Sequence, residues 1–150
     1  SSKILSCRDS KNIPLTKKKV LIIDDCNTMR KLVVKKLLKV KNFERDYDIL
    51  EGSDGIDILK FIKDDQKFNN TIKLIISDEN MEYMSGTTTF RILKVLENEQ
   101  KIKSTTKISL TAFCDESTMI DILKAGADFV FNKPLTDEDA SKIYNDILSK

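Results

Sequence analysis

The chain has no histidine. That absence removes His-based general acid–base chemistry, His metal ligands and self-phosphorylation on histidine from its own repertoire. Cysteine is scarce too. Cys7, Cys26 and Cys114 have no zinc-type spacing, and three thiols cannot all pair. A reducing, cytoplasmic compartment suits that pattern. Cys26 and Cys114 fall near the strand ends discussed below and are read as small, semi-buried side chains. No apolar run approaches the roughly 18 residues of a membrane span. The first seven residues, Ser-Ser-Lys-Ile-Leu-Ser-Cys, lack the apolar core of a signal peptide. Neither sign of charge dominates: 26 Lys and Arg stand against 24 Asp and Glu, a net charge of +2. This balance gives no support for nucleic-acid binding or membrane insertion. Lys17-Lys18-Lys19 is the only compact basic run, and it reads as the solvated entry to a strand.

What is present fits one soluble domain. The 150 residues are 40% hydrophobic and 33% charged. A chain of this length buries roughly 68–70% of its unfolded surface and needs no disulfide or structural metal. Residues 1–16 are polar, aperiodic and contain Pro14, and are read as a tail or linker before a domain over 17–150. From Lys18 onward two patterns alternate. Short apolar or β-branched runs lie near 19–24, 47–51, 72–77, 107–111 and 128–132. Between and after them come helical spacings: Met29-Leu32-Val33-Leu37-Val40, Ile58-Leu59-Ile62, Phe90-Leu93-Leu96, Met119-Ile120-Leu123 and Ile143-Tyr144-Ile147-Leu148. Thr136-Asp137-Glu138-Asp139 resembles a capping box, and Ala125-Gly126 a helix end. Five strand–helix alternations predict an α/β fold, a doubly wound five-stranded parallel sheet with five helices. Val20–Ile23 and Leu74–Ile76 are apolar at successive residues, as strands covered on both faces should be. Tyr47–Glu51 is more polar and suits an edge.

Charged residues cluster at the ends of these runs. Asp24 and Asp25 follow Val20–Ile23, Asp78 follows Leu74–Ser77, and Lys133 follows Phe129–Phe131. In a parallel sheet the carboxyl ends of the strands share one edge, where ligands bind. Singly, each acid reads equally well as a helix cap and Lys133-Pro134 as a surface loop. Together they are harder to dismiss, since two like charges ~4 Å apart repel by ~4 kcal/mol at an effective dielectric near 20. A hard divalent cation relieves that. Mg²⁺ takes oxygen ligands, keeps several waters and uses one or two carboxylates plus phosphate oxygens. Three carboxylates, one Mg²⁺ and one Lys sum to zero charge, ready for a phosphoryl group.

The ordered set Asp24-Asp25, Asp78, Thr111-Ala112, Lys133-Pro134 resembles the receiver domain of two-component response regulators. Val20–Arg30 is similar to the first strand and turn of chemotaxis-type receivers. Asp78–Gly86 is similar to the phosphoacceptor turn D-x-x-M-P-x-M-x-G, Leu110-Thr111-Ala112 to the fourth-strand signature, and Ala125–Asp128 leads into Lys133-Pro134 as receivers do. The resemblance covers about 18–149 and implies the flavodoxin-like strand order 2-1-3-4-5. It implies that Asp78 is the phosphorylated nucleophile, assisted by Lys133 and Thr111. It further implies that Asp25 and Asp78 hold Mg²⁺ with the Asn80 carbonyl, that Asp24 acts through a water, and that the Glu79 and Ala112 N–H groups contact the phosphoryl oxygens. The Lys133-Pro134 bond is expected to be cis. The implied partner is a histidine kinase or histidine phosphotransfer protein. The missing initiator Met and the tail tilt the choice toward a receiver cut from a hybrid histidine kinase, with a single-domain regulator as the other origin.

Two departures stand out. Glu82 occupies the place of the family's Pro. Val130 stands three residues before Lys133, where receivers carry Tyr or Phe, and its neighbours Phe129 and Phe131 should point elsewhere. These keep alive a degenerate receiver that docks partners without phosphoryl turnover. An aspartate-based Mg²⁺ phosphohydrolase is disfavoured because Asn80 stands where a second acid is usual. A flavin domain is disfavoured because Asp24 and Asp25 would repel the cofactor phosphate.

Overall fold

The computed structural model describes residues 17–68, 70–112 and 115–149. The expected tail, residues 1–16, lies outside them. Five parallel strands form one sheet: β1 Lys18–Ile23, β2 Tyr47–Gly52, β3 Ile72–Asp78, β4 Thr106–Thr111 and β5 Phe129–Asn132. Their order is β2-β1-β3-β4-β5, so the more polar β2 is indeed an edge. Five main helices connect or follow them: α1 Asn27–Leu38, α2 Gly55–Asp65, α3 Gly86–Asn98, α4 Glu116–Ala125 and α5 Asp137–Lys142. A one-turn helix over Phe43–Asp46 adds a sixth that the apolar spacing does not announce.

Alternation along the strands builds two cores. Val20, Ile22, Leu74, Ile76, Ile108 and Leu110 pack against Val33 and Leu37 of α1 and Ala140 of α5. Leu21, Ile23 and Ile75 pack on the other face against Ile58 of α2, Phe90 and Leu93 of α3 and Ile122 of α4. Covering both faces removes the central strands from water, which is why their sequences read as continuous apolar runs.

The helix ends follow their chemistry. Thr136 caps α5 by accepting from Asp139 N at 3.0 Å, and Asp139 Oδ2 accepts from Thr136 N at 3.0 Å in return. Gly126 ends α4 with φ +125°, a conformation open to glycine. Two helices differ from expectation. Ile143–Leu148 widens into a π-helix rather than continuing α5. In α4 the inward positions belong to Ile122 and Ala125, while Met119, Ile120 and Leu123 are each about two-fifths exposed. The short α4 presents one narrow side to the sheet, and its apolar surplus faces outward.

Candidate phosphoacceptor site

Strand register gathers the predicted residues. Ile23 of β1 opposes Ser77 of β3, so Asp24 and Asp78 follow side by side. Asp78 opposes Leu110 of β4, and Thr111 opposes Asn132 of β5, one residue short of Lys133. Asp24, Asp78 and Thr111 are buried, whereas Asp25 is exposed. One carboxylate oxygen from each of Asp24, Asp25 and Asp78 lies within 4.8 Å of the others. Lys133 Nζ donates to Asp78 Oδ1 at 2.8 Å and stands 3.3 Å from Asp24 Oδ2. The Lys133-Pro134 bond is cis, and Lys133 N donates to Thr111 O at 2.7 Å.

The β1–α1 turn is fixed by its own polar groups. Asp24 Oδ1 accepts from Cys26 N at 2.8 Å. Arg30 donates from Nη1 to Asp24 O at 2.8 Å and from Nε to Glu51 Oε1 at 3.0 Å. Cys26 is exposed rather than semi-buried, because its N–H turns inward to Asp24 and its side chain is left outside at the helix entry. Cys114 lies outside the described residues.

The electrostatics are those of three carboxylates sharing one ammonium, that of Lys133. Burial lifts the Asp78 carboxyl above its ordinary value, and the charge of Asp24 adds to the lift against the hydrogen bond from Lys133. Burial opposes the Lys133 charge, but the hydrogen bond and charge of Asp78, with Asp24, prevail and hold the ammonium above its ordinary value. Asp24 Oδ2 is buried and accepts no hydrogen bond. This oxygen stands beside two further carboxylates, with Lys133 Nζ 3.3 Å away, and a set of three carboxylates suits a hard divalent cation.

The remaining predicted residues lie along the loops of the same rim. Asn80 and Ala112 are exposed. The Glu79 side chain turns to α3, where Oε1 accepts from Thr87 N at 2.8 Å. Val130 packs on the α2–α4 side of the sheet, Phe131 on the α1–α5 side, and Phe129 is exposed. Neither Phe129 nor Phe131 therefore takes the place of Val130 on its side of the sheet. Sequence reasoning missed Asp54, which accepts from Tyr83 N at 2.8 Å and ties the loop after Asp78 to the start of α2. Asp54-Gly55-Ile56-Asp57 does carry a helix-start signal, but its reach to residue 83 is a tertiary fact.

The family model described as "Response regulator receiver domain" matches residues 20–145. The chain belongs to that family. No curated protein matches the receiver significantly in sequence. Solved structures match it widely. A CheY-like response regulator receiver from Methanospirillum hungatei is 21% identical over 89% of this chain and 95% of that one, with a TM-score of 0.69. A Francisella response regulator receiver is 26% identical over 86% and 94%, with a TM-score of 0.67. The CheX–CheY–BeF3–Mg²⁺ complex from Borrelia burgdorferi is 21% identical over 89% and 90%, with a TM-score of 0.69. The acidic cluster of this receiver is of the kind the family uses to hold a metal beside its phosphoacceptor.

Proposed function

We propose that this receiver accepts a phosphoryl group on Asp78 from a phosphohistidine of a histidine kinase or histidine phosphotransfer protein. The observation that carries the reading is the meeting of Asp24, Asp25 and Asp78 within 4.8 Å, with Lys133 Nζ 2.8 Å from Asp78. Asp25, Asp78 and the Asn80 carbonyl, with Asp24 through a water, would hold Mg²⁺, which would supply charge neutralisation of the phosphoryl oxygens. A carboxylate oxygen of Asp78 attacks phosphorus, the P–N bond breaks, and the electron pair stays on the donor imidazole. Lys133 leaves its ion pair with the free carboxylate and follows the charge onto a phosphoryl oxygen. Thr111 Oγ1 donates to another, and the N–H groups of Glu79 and Ala112 line the rest. Phosphoryl transfer depends more on alignment and charge than on proton movement, so a chain without histidine suffices. Hydrolysis or onward transfer then clears the site, and Thr111 links its state to the α4–α5 face.

Treatment with acetyl phosphate and Mg²⁺ is expected to add one phosphoryl group, seen by intact mass, and Asp78→Asn to abolish the adduct. Absence of an adduct from small-molecule and phosphohistidine donors alike would favour the docking module that Val130 and the outward apolar side chains of α4 suggest.

A further inference from the structure

The loop between β3 and α3 carries Asn80 and starts at Asp78, yet it has Glu82 where the family's turn has Pro. Something else holds it. Tyr83 N donates to Asp54 Oδ2 at 2.8 Å, and Met84 N to Asp54 Oδ1 at 3.1 Å. The same carboxylate caps α2 by accepting from Ile56 N at 3.0 Å. Gly55 N donates to Met84 O at 3.2 Å. The approach requires glycine: a Cβ at Gly55 would stand 2.6 Å from Met84 O. Nearer Asp78, the loop closes on Glu79, whose carbonyl accepts from Gly86 N at 3.1 Å.

Asp54 is only 7% exposed, and three backbone N–H groups converge on its two oxygens. Burial would raise its pKa, but those N–H groups outweigh it and hold the carboxyl below its ordinary value. A helix cap needs one such bond. The other two reach 29 and 30 residues along the chain, to the loop that borders the site.

We propose that Asp54 is a positioning residue of the phosphoacceptor centre, holding the β3–α3 loop, and with it the Asn80 carbonyl, where the family's proline is missing. The proposal rests on the metal-assisted reading of Asp78 given above. A purely structural cap would affect stability alone.

The test compares Asp54→Ala and Asp54→Asn with Thr136→Ala, which removes the α5 cap and touches no part of the loop. Three properties are read on the whole chain: melting temperature, amide exchange of residues 79–86, and Mg²⁺ affinity by calorimetry. Asp54→Ala is expected to speed exchange at Tyr83 and Met84 and to weaken Mg²⁺ binding about fivefold, the equivalent of one hydrogen bond's net contribution. Asp54→Asn keeps one accepting oxygen and falls between, which preserves the test if the alanine variant does not fold. Thr136→Ala loses melting temperature and keeps wild-type Mg²⁺ affinity. Unchanged Mg²⁺ affinity in both Asp54 variants overturns the positioning role and leaves the proposed function standing. Wild-type protein that binds no Mg²⁺ overturns both.

Discussion

At the scale of single residues, the acidic cluster sets charge against burial. Asp78 is buried beside Asp24, and the fold resists its charge, as the raised pKa records. A neutral side chain of the same shape removes that conflict. Asp78→Asn is therefore expected to make the metal-free protein more stable, by on the order of 1 kcal/mol, or about 2–4 °C in melting temperature for a chain of this size. Mg²⁺ is expected to reverse the ranking, because an ion held only by the folded site stabilises it by mass action. Melting curves with and without Mg²⁺ check both halves: wild-type protein should gain more from the ion than the variant does. A metal-free variant less stable than wild type would mean that the ion pair with Lys133 outweighs burial and repulsion. Asp78 and its neighbours were legible in the sequence because a charge directly after a buried strand is conspicuous. Asp54 and Arg30 were not, because each acts on backbone groups whose positions the linear order does not give.

At the scale of elements, the strands and main helices were legible because both patterns are periodic and the central strands are apolar throughout. The exceptions have local causes. Lys107 sits in β4 at 3% exposure, although a lysine in a strand ordinarily reads as facing water. Its Nζ donates to Glu97 Oε2 at 2.6 Å and to Thr105 O at 2.7 Å, so its counterion comes from the end of α3. Glu97 also accepts from Thr105 N at 3.2 Å, which pins the α3–β4 connection. Breaking one side of such a pair leaves a buried charge alone, whereas replacing the lysine with an apolar chain removes the need for a partner. Glu97→Ala is expected to cost about 3 kcal/mol, and Lys107→Met in that background to recover most of it. Urea unfolding of the two variants measures the difference. An equal loss in both would show that the ion pair contributes little beyond packing.

At the scale of the whole molecule, acid sensitivity follows from how the carboxylates are held. Hydrogen bonds from Lys31 and Arg30 keep Glu51 below its ordinary value, and the backbone N–H groups of Ile56, Tyr83 and Met84 do so for Asp54 against its burial. The hydrogen bond from Lys36 acts likewise on Asp137, and the Thr118 N–H on Asp115, though both carboxylates are exposed and contribute little. A depressed carboxyl stabilises the fold above its unfolded pKa of about 4 and loses that contribution as pH falls through its folded value. Asp78 runs the other way. Its folded pKa is raised, so the native state takes up a proton first and gains stability as pH falls toward about 4. The metal-free protein should therefore be most stable at mildly acidic pH and fall away below about pH 4. Chemical unfolding across that range is the measurement. Asp78→Asn should lose the rise on the acidic side of neutrality and keep the steep fall, since the groups responsible for the fall lie elsewhere. A fall of the same steepness is expected in wild type and variant alike, because Glu51 and Asp54 are bonded to groups that the substitution leaves in place.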